Sequence, residues 1–248
     1  MSLASQKLVL AADLPLGLAQ KLYSQIAVHF GVVKVGLSLF VEHGPKAVEV
    51  FQKLGARVFL DLKLHDIPNT VGLAAQHAAA MGIDYLTVHA SGGKAMLSAA
   101  LEGAAKGAAL GGHPPPKLLA VTVLTSMDEA TLKALGVDKE VYSHVERLAL
   151  LSREAGMTAL VCSAQEVSAL RQRLGGDVVL CTPGIRPQGA KKADQSRVQT
   201  ASQAILSGAD LLVVGRPVYE AENPQQAASL LEAEVAAALG GVGAKTII

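Results

Sequence analysis

Eight short apolar runs alternate with helical stretches along the chain, and this order predicts an α/β protein folded as a single (β/α)8 TIM barrel over residues 1–248. The runs lack the polar and apolar alternation of a sheet with one wet face, so both faces of each strand are expected to be covered. The length allows roughly 31 residues for each strand and helix unit, close to what such a barrel needs. No linker or shift in composition suggests a second domain.

The predicted strands are short, rich in Val and Leu, and bounded by turn residues. In chain order they are Leu8–Ala12, Val32–Gly36, Val58–Leu62, Tyr85–His89, Leu118–Val123, Ala159–Cys162, Val178–Cys181 and Leu211–Val214. The clearest helical periodicity lies between them, in Gly17–Phe30, Pro45–Leu54, Thr70–Met81, Lys94–Leu110 and Lys139–Ala155. Several predicted helices end at a glycine just before the next strand, as expected for a helix C-terminus.

The alternative fold is a doubly wound open sheet. Such a sheet usually carries a glycine-rich dinucleotide fingerprint after its first strand. The segment 13–17 reads DLPLG and does not match that fingerprint. The barrel is therefore the favoured prediction.

Composition excludes several classes of protein. Half of the residues are hydrophobic and only 17% are charged, which excludes disorder. The formal net charge of +1 provides no global field for nucleic acid or an anionic membrane, so neither is expected as a partner. No uninterrupted apolar segment reaches the ~18 residues of a membrane span. The two cysteines, Cys162 and Cys181, fit neither a zinc finger nor a disulfide framework, and a cytoplasmic location is predicted.

Chemistry in a barrel of this type lies at the carboxyl ends of the strands. Polar residues follow or end most of the predicted strands: Asp13, Lys34, Asp61, Lys63, His65, Asp66, His89, Thr125, Ser126, Arg186 and Arg216. The seven histidines show no metal-ligand spacing such as HxH or HExxH, so no metal site is predicted.

The third strand is the most informative, because residues two apart on a strand point to the same face. Asp61 and Lys63 are therefore expected side by side in the barrel mouth. A carboxylate and an ammonium that close favour each other's charged forms, so Lys63 is expected to stay protonated and could donate a proton. The same proximity argues against a Schiff-base lysine. A purely structural ion pair at a strand end remains the alternative.

A second signal is a predicted phosphate site. Barrels often bind phosphate with the loops after strands seven and eight, and here these loops carry Pro183–Arg186 and Gly215–Arg216. From residue 186 to 197, four basic residues face one acidic residue, which is a local anion trap in a neutral chain. The length of the loop from about residue 184 to 196 predicts a lid, and a solvated basic loop is the alternative.

The segment 61–70 reads DLKLHDIPNT and closely resembles the signature of the orotidine 5'-phosphate decarboxylases, which complete UMP synthesis. Segments in the same order elsewhere extend the resemblance over nearly the whole chain: VVKVG at 32–36, VTVLTS at 121–126, TPGIRP at 182–187, DQ at 194–195 and VGRP at 214–217. A lone DxKxxD is shared with metal-assisted sugar-phosphate decarboxylases and aldolases. The DIPNT and TPGIRP segments are more specific to the orotidine 5'-phosphate decarboxylases.

The resemblance implies a decarboxylase that converts orotidine 5'-phosphate to UMP and carbon dioxide without a metal or organic cofactor. It implies an alternating charged array of Lys34, Asp61, Lys63 and Asp66, in which Lys63 protonates C6. It also implies a homodimer, in which Asp66, Ile67 and Thr70 reach into the neighbouring subunit's site.

The remaining implied roles concern substrate binding. Asp13 and Lys34 would hold the ribose hydroxyls, and Asp61 would lie beside the substrate carboxylate. The other implied contacts are Thr125, Ser126 and Pro183 at the pyrimidine, and Arg186, Gln195, Gly215 and Arg216 at the phosphate. Two rival functions stay open from the residues alone: a metal-assisted enzyme acting on a sugar phosphate, and a barrel that only binds a phosphorylated ligand.

Overall fold

A computed structural model of the chain describes residues 1–186 and 199–245. Eight parallel strands form a closed barrel in sequence order, with β8 paired to β1. The strands are β1 (Leu8–Ala11), β2 (Val32–Gly36), β3 (Arg57–Leu64), β4 (Tyr85–His89), β5 (Lys117–Val121), β6 (Ala159–Val161), β7 (Val179–Pro183) and β8 (Leu211–Val214). The predicted (β/α)8 barrel is confirmed.

Twelve α-helices and two short 3-10 helices, Ala27–His29 and Ala90–Gly92, lie among the described residues, most of them on the outside of the barrel. The α-helices are α1 (Leu3–Lys7), α2 (Leu16–Ile26), α3 (Leu37–His43), α4 (Lys46–Lys53), α5 (Pro68–Ala80), α6 (Gly93–Gly111), α7 (Glu129–Ala134), α8 (Val141–Glu154), α9 (Val167–Leu174), α10 (Ala201–Leu206), α11 (Arg216–Tyr219) and α12 (Pro224–Lys245). None of the helices in the described part of the chain is long and apolar enough to cross a membrane.

The buried side chains form two layers, as the alternation along each strand requires. One cluster fills the barrel interior: Val9, Ala11, Val32, Phe59, Tyr85, Leu119, Ala159, Cys181, Leu211 and Val213. The other cluster is larger and lies between the sheet and the helices, where Leu8 and Leu10 of β1 point outward. The barrel interior is therefore a packed core.

Five strands end at a residue other than the predicted one. β1 ends at Ala11 rather than Ala12, and β6 ends at Val161 rather than Cys162. β5 ends at Val121 rather than Val123, because its neighbour β6 ends at Val161 and offers no further pairing. β7 continues to Pro183, which pairs with Val213 of β8. β3 continues to Leu64, which pairs with Val88 after a shift of register.

Candidate active site

A cavity of about 260 Å³ opens at the carboxyl ends of the strands, where chemistry was predicted. Charged residues of β2, β3 and the segment after β1 line one side, and residues at the ends of β7 and β8 line the other. Its lining includes Asp13, Lys34, Asp61, Lys63, Thr125, Pro183, Gly184, Arg186, Gly215, Arg216 and Tyr219. Most of the residues predicted for the site therefore meet in one cavity.

Asp61 joins two lysines from neighbouring strands. Its Oδ1 accepts a hydrogen bond from Lys63 Nζ at 2.8 Å, and its Oδ2 lies 3.4 Å from Lys34 Nζ. Lys34 Nζ also donates to Asp13 Oδ1 at 3.3 Å. The result is a continuous row of alternating charges across the mouths of β1, β2 and β3.

Burial and charge act in opposite directions on this row. Burial disfavours the Lys34 ammonium, but the carboxylates of Asp61 and Asp13 outweigh it and raise the pKa of Lys34. Burial likewise opposes the Asp61 carboxylate, yet the two lysines and the hydrogen bonds from Lys63 and Thr87 lower the pKa of Asp61. Both groups are therefore charged at neutral pH.

The backbone at Lys63 is unusual. Its φ is +50°, the only positive value at a non-glycine residue in the described ranges 1–186 and 199–245. The register of β3 against β4 shifts between Leu60 and Leu64 at this position. Asp61 and Lys63 do lie side by side, as predicted, but regular alternation along the strand is not the reason, because a bulge separates them.

The opposite side of the cavity is suited to an anion. Arg186 follows β7, and Arg216 begins the short helix after β8; both line the cavity. Gly184, two residues before Arg186, has φ +82°, a conformation that favours glycine. At Gly215, a Cβ atom would lie 3.2 Å from the ring of Tyr219, so a glycine leaves room for that ring.

Cys181 and Cys162 contribute to the lining from β7 and the end of β6. Neither cysteine forms a disulfide, and both side chains are almost fully buried. Burial, followed by the nearby Asp61, raises the pKa of Cys181 well above its ordinary value, which keeps it as an unreactive thiol.

Four predicted residues do not line this cavity within one chain. Ser126 is exposed beside Thr125, and Asp66, Ile67 and Thr70 are exposed on the segment after β3. The Asp66 carboxylate accepts a hydrogen bond from the N–H of Ile67 at 2.6 Å. Ser126 is exposed and is not part of the cavity lining, so its contact with the pyrimidine stays a prediction. Gln195 and most of the predicted lid lie outside the described residues.

Sequence reasoning missed two residues at the site. Thr87 on β4 is 1% exposed and donates to Asp61 Oδ1 at 2.9 Å. Tyr219 lines the cavity, and burial together with the nearby Asp13 raises its pKa. Thr87 could have been found from its place on β4, because β4 pairs with β3, which carries Asp61 and Lys63. Tyr219 follows the predicted phosphate loop by three residues.

Fold and site together define a (β/α)8-barrel protein with a charged, anion-accepting cavity at the carboxyl ends of its strands. Among the described residues, no group of three His, Cys, Asp or Glu side chains is arranged to hold a metal ion. The chain belongs to the Orotidine 5'-phosphate decarboxylase / HUMPS family, whose sequence model matches residues 6–231.

Individual relatives agree with this membership. The orotidine 5'-phosphate decarboxylase of Moorella thermoacetica is 45% identical over 234 residues, which cover 94% of this chain and 93% of that protein. The enzyme of the same name from Thermobifida fusca is 48% identical over 220 residues, covering 88% and 90%. The crystal structure of orotidine 5'-phosphate decarboxylase from Lactobacillus acidophilus matches with a TM-score of 0.79 at 35% identity, covering 93% of this chain and 99% of that one.

Proposed function

We propose that this chain converts orotidine 5'-phosphate to UMP and carbon dioxide, as a carboxy-lyase of pyrimidine biosynthesis. The observation that carries the proposal is the Lys34–Asp61–Lys63 array facing the two arginines Arg186 and Arg216 across one cavity. The family membership and the relatives' names support the same reaction.

The chemistry explains why such an array is needed. When the bond between C6 and the carboxylate breaks, its electron pair stays on C6 in the ring plane, where the π system cannot delocalise it. A fixed ammonium stabilises charge that develops only in the transition state. Lys63 Nζ then gives its proton to C6, carbon dioxide leaves, and the lysine regains a proton from water.

Asp61 has two effects in this proposal. It holds Lys63 Nζ by a hydrogen bond of 2.8 Å, and its own carboxylate would lie beside the carboxylate of the bound substrate. Repulsion between the two carboxylates would raise the energy of the bound substrate and fall away as carbon dioxide leaves.

The rest of the cavity supplies binding energy. Asp13 and Lys34 are proposed to hold the ribose hydroxyls, with Thr125 and Pro183 against the pyrimidine. The proposed phosphate contacts are Arg186, Gln195, Gly215 and Arg216. Because the phosphate lies far from C6, its binding can order the charged groups without taking part in the chemistry.

We further propose a homodimer in which Asp66, Ile67 and Thr70 complete the partner's site. Ile67 is 66% exposed, and Leu37 and Val41 of α3 are exposed after the neighbouring strand β2. Exposed apolar side chains that follow two neighbouring strands support the proposal of an interface there. Two buried cysteines that form no disulfide support the proposal of a reducing, cytoplasmic compartment.

The direct test follows the ultraviolet absorbance of orotidine 5'-phosphate with the purified protein, with and without EDTA. Turnover at the same rate in both is expected, since the proposed reaction uses no metal. Loss of turnover with EDTA and its return with Mg²⁺ would favour a metal-assisted reaction. Binding of UMP without any consumption of orotidine 5'-phosphate would show that the chain binds the nucleotide but does not catalyse the reaction.

A further inference from the structure

The hydroxyl of Thr87 contacts both catalytic partners of β3. It donates to Asp61 Oδ1 at 2.9 Å and accepts from the backbone N–H of Lys63, also at 2.9 Å. The residue is 1% exposed, so the hydroxyl has no access to bulk water as an alternative partner. One buried side chain therefore connects the Asp61 carboxylate to the backbone of Lys63.

These contacts occur where the sheet is irregular. Leu60 pairs with Leu86 and Leu64 with Val88, so four steps along β3 are matched by two along β4. Lys63 lies within the extra length, in a left-handed conformation that a lysine rarely adopts. A buried N–H at such a position needs an acceptor, and the Thr87 hydroxyl provides one.

The bulge also sets the direction of the lysine side chain. With its backbone turned at φ +50°, Lys63 directs Nζ back to Asp61 Oδ1, the same oxygen that Thr87 contacts. Thr87, Asp61 and Lys63 thus form a closed loop of three hydrogen bonds, through the three side chains and the backbone N–H of Lys63. If the hydroxyl is removed, both the carboxylate and the lysine backbone lose a fixed contact.

We propose that Thr87 is a positioning residue for the decarboxylation, which holds the strained backbone of Lys63 and orients the Asp61 carboxylate so that the ammonium stays at the reacting carbon. This inference rests on the proposed function. Thr87 does not line the cavity, so it acts through the two residues that do. Its effect should fall on the chemical step more than on nucleotide binding.

The experiment compares Thr87→Val, which keeps the shape of the side chain and loses the hydroxyl, with Thr87→Ser, which keeps the hydroxyl. Thr122→Val is the matched control. Thr122 is also buried and donates to Val161 O at 2.9 Å, but it contacts neither Asp61 nor Lys63. The measurements are kcat and KM for orotidine 5'-phosphate and the dissociation constant of UMP, with active sites counted by UMP binding.

We expect Thr87→Val to lower kcat about 10- to 100-fold, as for loss of one buried hydrogen bond to a charged group, with UMP binding changed less than about 3-fold. Thr87→Ser should recover most of the rate, and Thr122→Val should leave it near wild type. A full rate in Thr87→Val, or an equal loss in the serine and valine variants, overturns the proposal.

The experiment distinguishes failure of the proposed function from failure of the proposed role of Thr87. If wild-type protein does not consume orotidine 5'-phosphate, the proposed function fails; if it does and Thr87→Val matches it, only the role of Thr87 fails. Thr87→Ala is the second hydroxyl-free variant should Thr87→Val be poorly folded. Failure of both to fold, with a folded Thr87→Ser, would make the hydroxyl a folding requirement and overturn a role in positioning.

Discussion

Asp61 is 8% exposed, and its two carboxylate oxygens face different lysines, Lys34 and Lys63. Without the charge of Asp61, Lys34 would keep only Asp13 as a nearby counter-charge. Lys63 would lose its ion-pair partner. Breaking a buried ion pair at one partner is costly because the other charge stays buried. Asp61 should therefore matter for folding as well as for turnover.

Asp61→Asn should lower the free energy of unfolding by about 3 kcal/mol at pH 7, the cost of leaving buried charges unpaired. The folded pKa of Asp61 is lowered, so its stabilisation is present above the unfolded value of about 3.9 and is lost as the pH falls through the folded value. The difference between wild type and variant should therefore shrink below about pH 4. Urea unfolding from pH 7 to 3.5 measures this, and a constant difference over that range would contradict it.

Lys63→Ala should reduce turnover of orotidine 5'-phosphate by about 10³-fold or more, because the reaction loses both the stabilising charge and the proton donor. UMP should still bind within severalfold, since Arg186 and Arg216 remain. The measurements are initial rates and UMP titration. Lys106→Ala, an exposed lysine on α6, is the control and should keep the full rate. Near-normal turnover without Lys63 would exclude it as the proton donor.

Asp61, Lys63 and Thr87 show which features of the site the sequence predicts and which it does not. The motif predicts that Asp61 and Lys63 meet, and they do, at 2.8 Å. Alternation gives no sign of the bulge or of the positive φ at Lys63, because both depend on how β3 pairs with β4. Thr87 looks like an ordinary β-former in a buried strand until its neighbour on β3 is known.

At the scale of elements, the eight strands were predictable because buried parallel strands read as apolar runs. Strand ends were less predictable, since each depends on the length of its neighbour, as β5 shows by ending where β6 does. The short helix α3, at Leu37–His43, went unpredicted because seven residues carry too little periodicity. Its Val41 is 82% exposed.

Helices α5 and α6 pack unusually closely, through glycines on α6. A Cβ at Gly103 would lie 2.0 Å from the carbonyl oxygen of Gly72, and one at Gly107 would lie 1.9 Å from that of Gln76. Real Cβ atoms do not approach backbone so closely, so the two helices would have to separate. Because α5 begins at Pro68, directly after Ile67, this packing also fixes the segment proposed to reach the partner.

Gly103→Ala should lower the free energy of unfolding by about 1–3 kcal/mol, the usual cost of overpacking. Gly17→Ala is the matched control, because Gly17 is an exposed helical glycine with nothing within 4 Å of its added Cβ. It should be neutral or stabilising by up to about 1 kcal/mol, from helix propensity alone. Chemical denaturation of both variants decides; equal effects would mean that the close approach costs nothing.

At the scale of the whole molecule, the barrel and the charged cavity were predictable from one chain, whereas the completeness of the site was not. Asp66, Ile67 and Thr70 are exposed and outside the cavity of their own chain. Exposure alone does not reveal where a side chain acts once a second copy binds. The family resemblance supplied that expectation, and no contact within a single chain could have done so.

A dimer with shared sites can be tested with two inactive variants. Lys63→Ala damages the site of its own chain, and Asp66→Asn damages the site of its partner. A mixed dimer of the two then holds one site with both lesions and one with neither. Random pairing makes half of the dimers mixed, so about a quarter of wild-type activity should return when the variants are co-expressed.

The control pairs Lys63→Ala with Asp61→Asn, whose lesions both fall in the site of their own chain. No mixed dimer of this pair has an intact site, so activity should not rise above that of the separate variants. Activity per site and mass by light scattering are measured together. If the first pair restores nothing, or if a monomer turns over substrate at the full rate, the site is complete within one chain and Asp66 does not cross the interface.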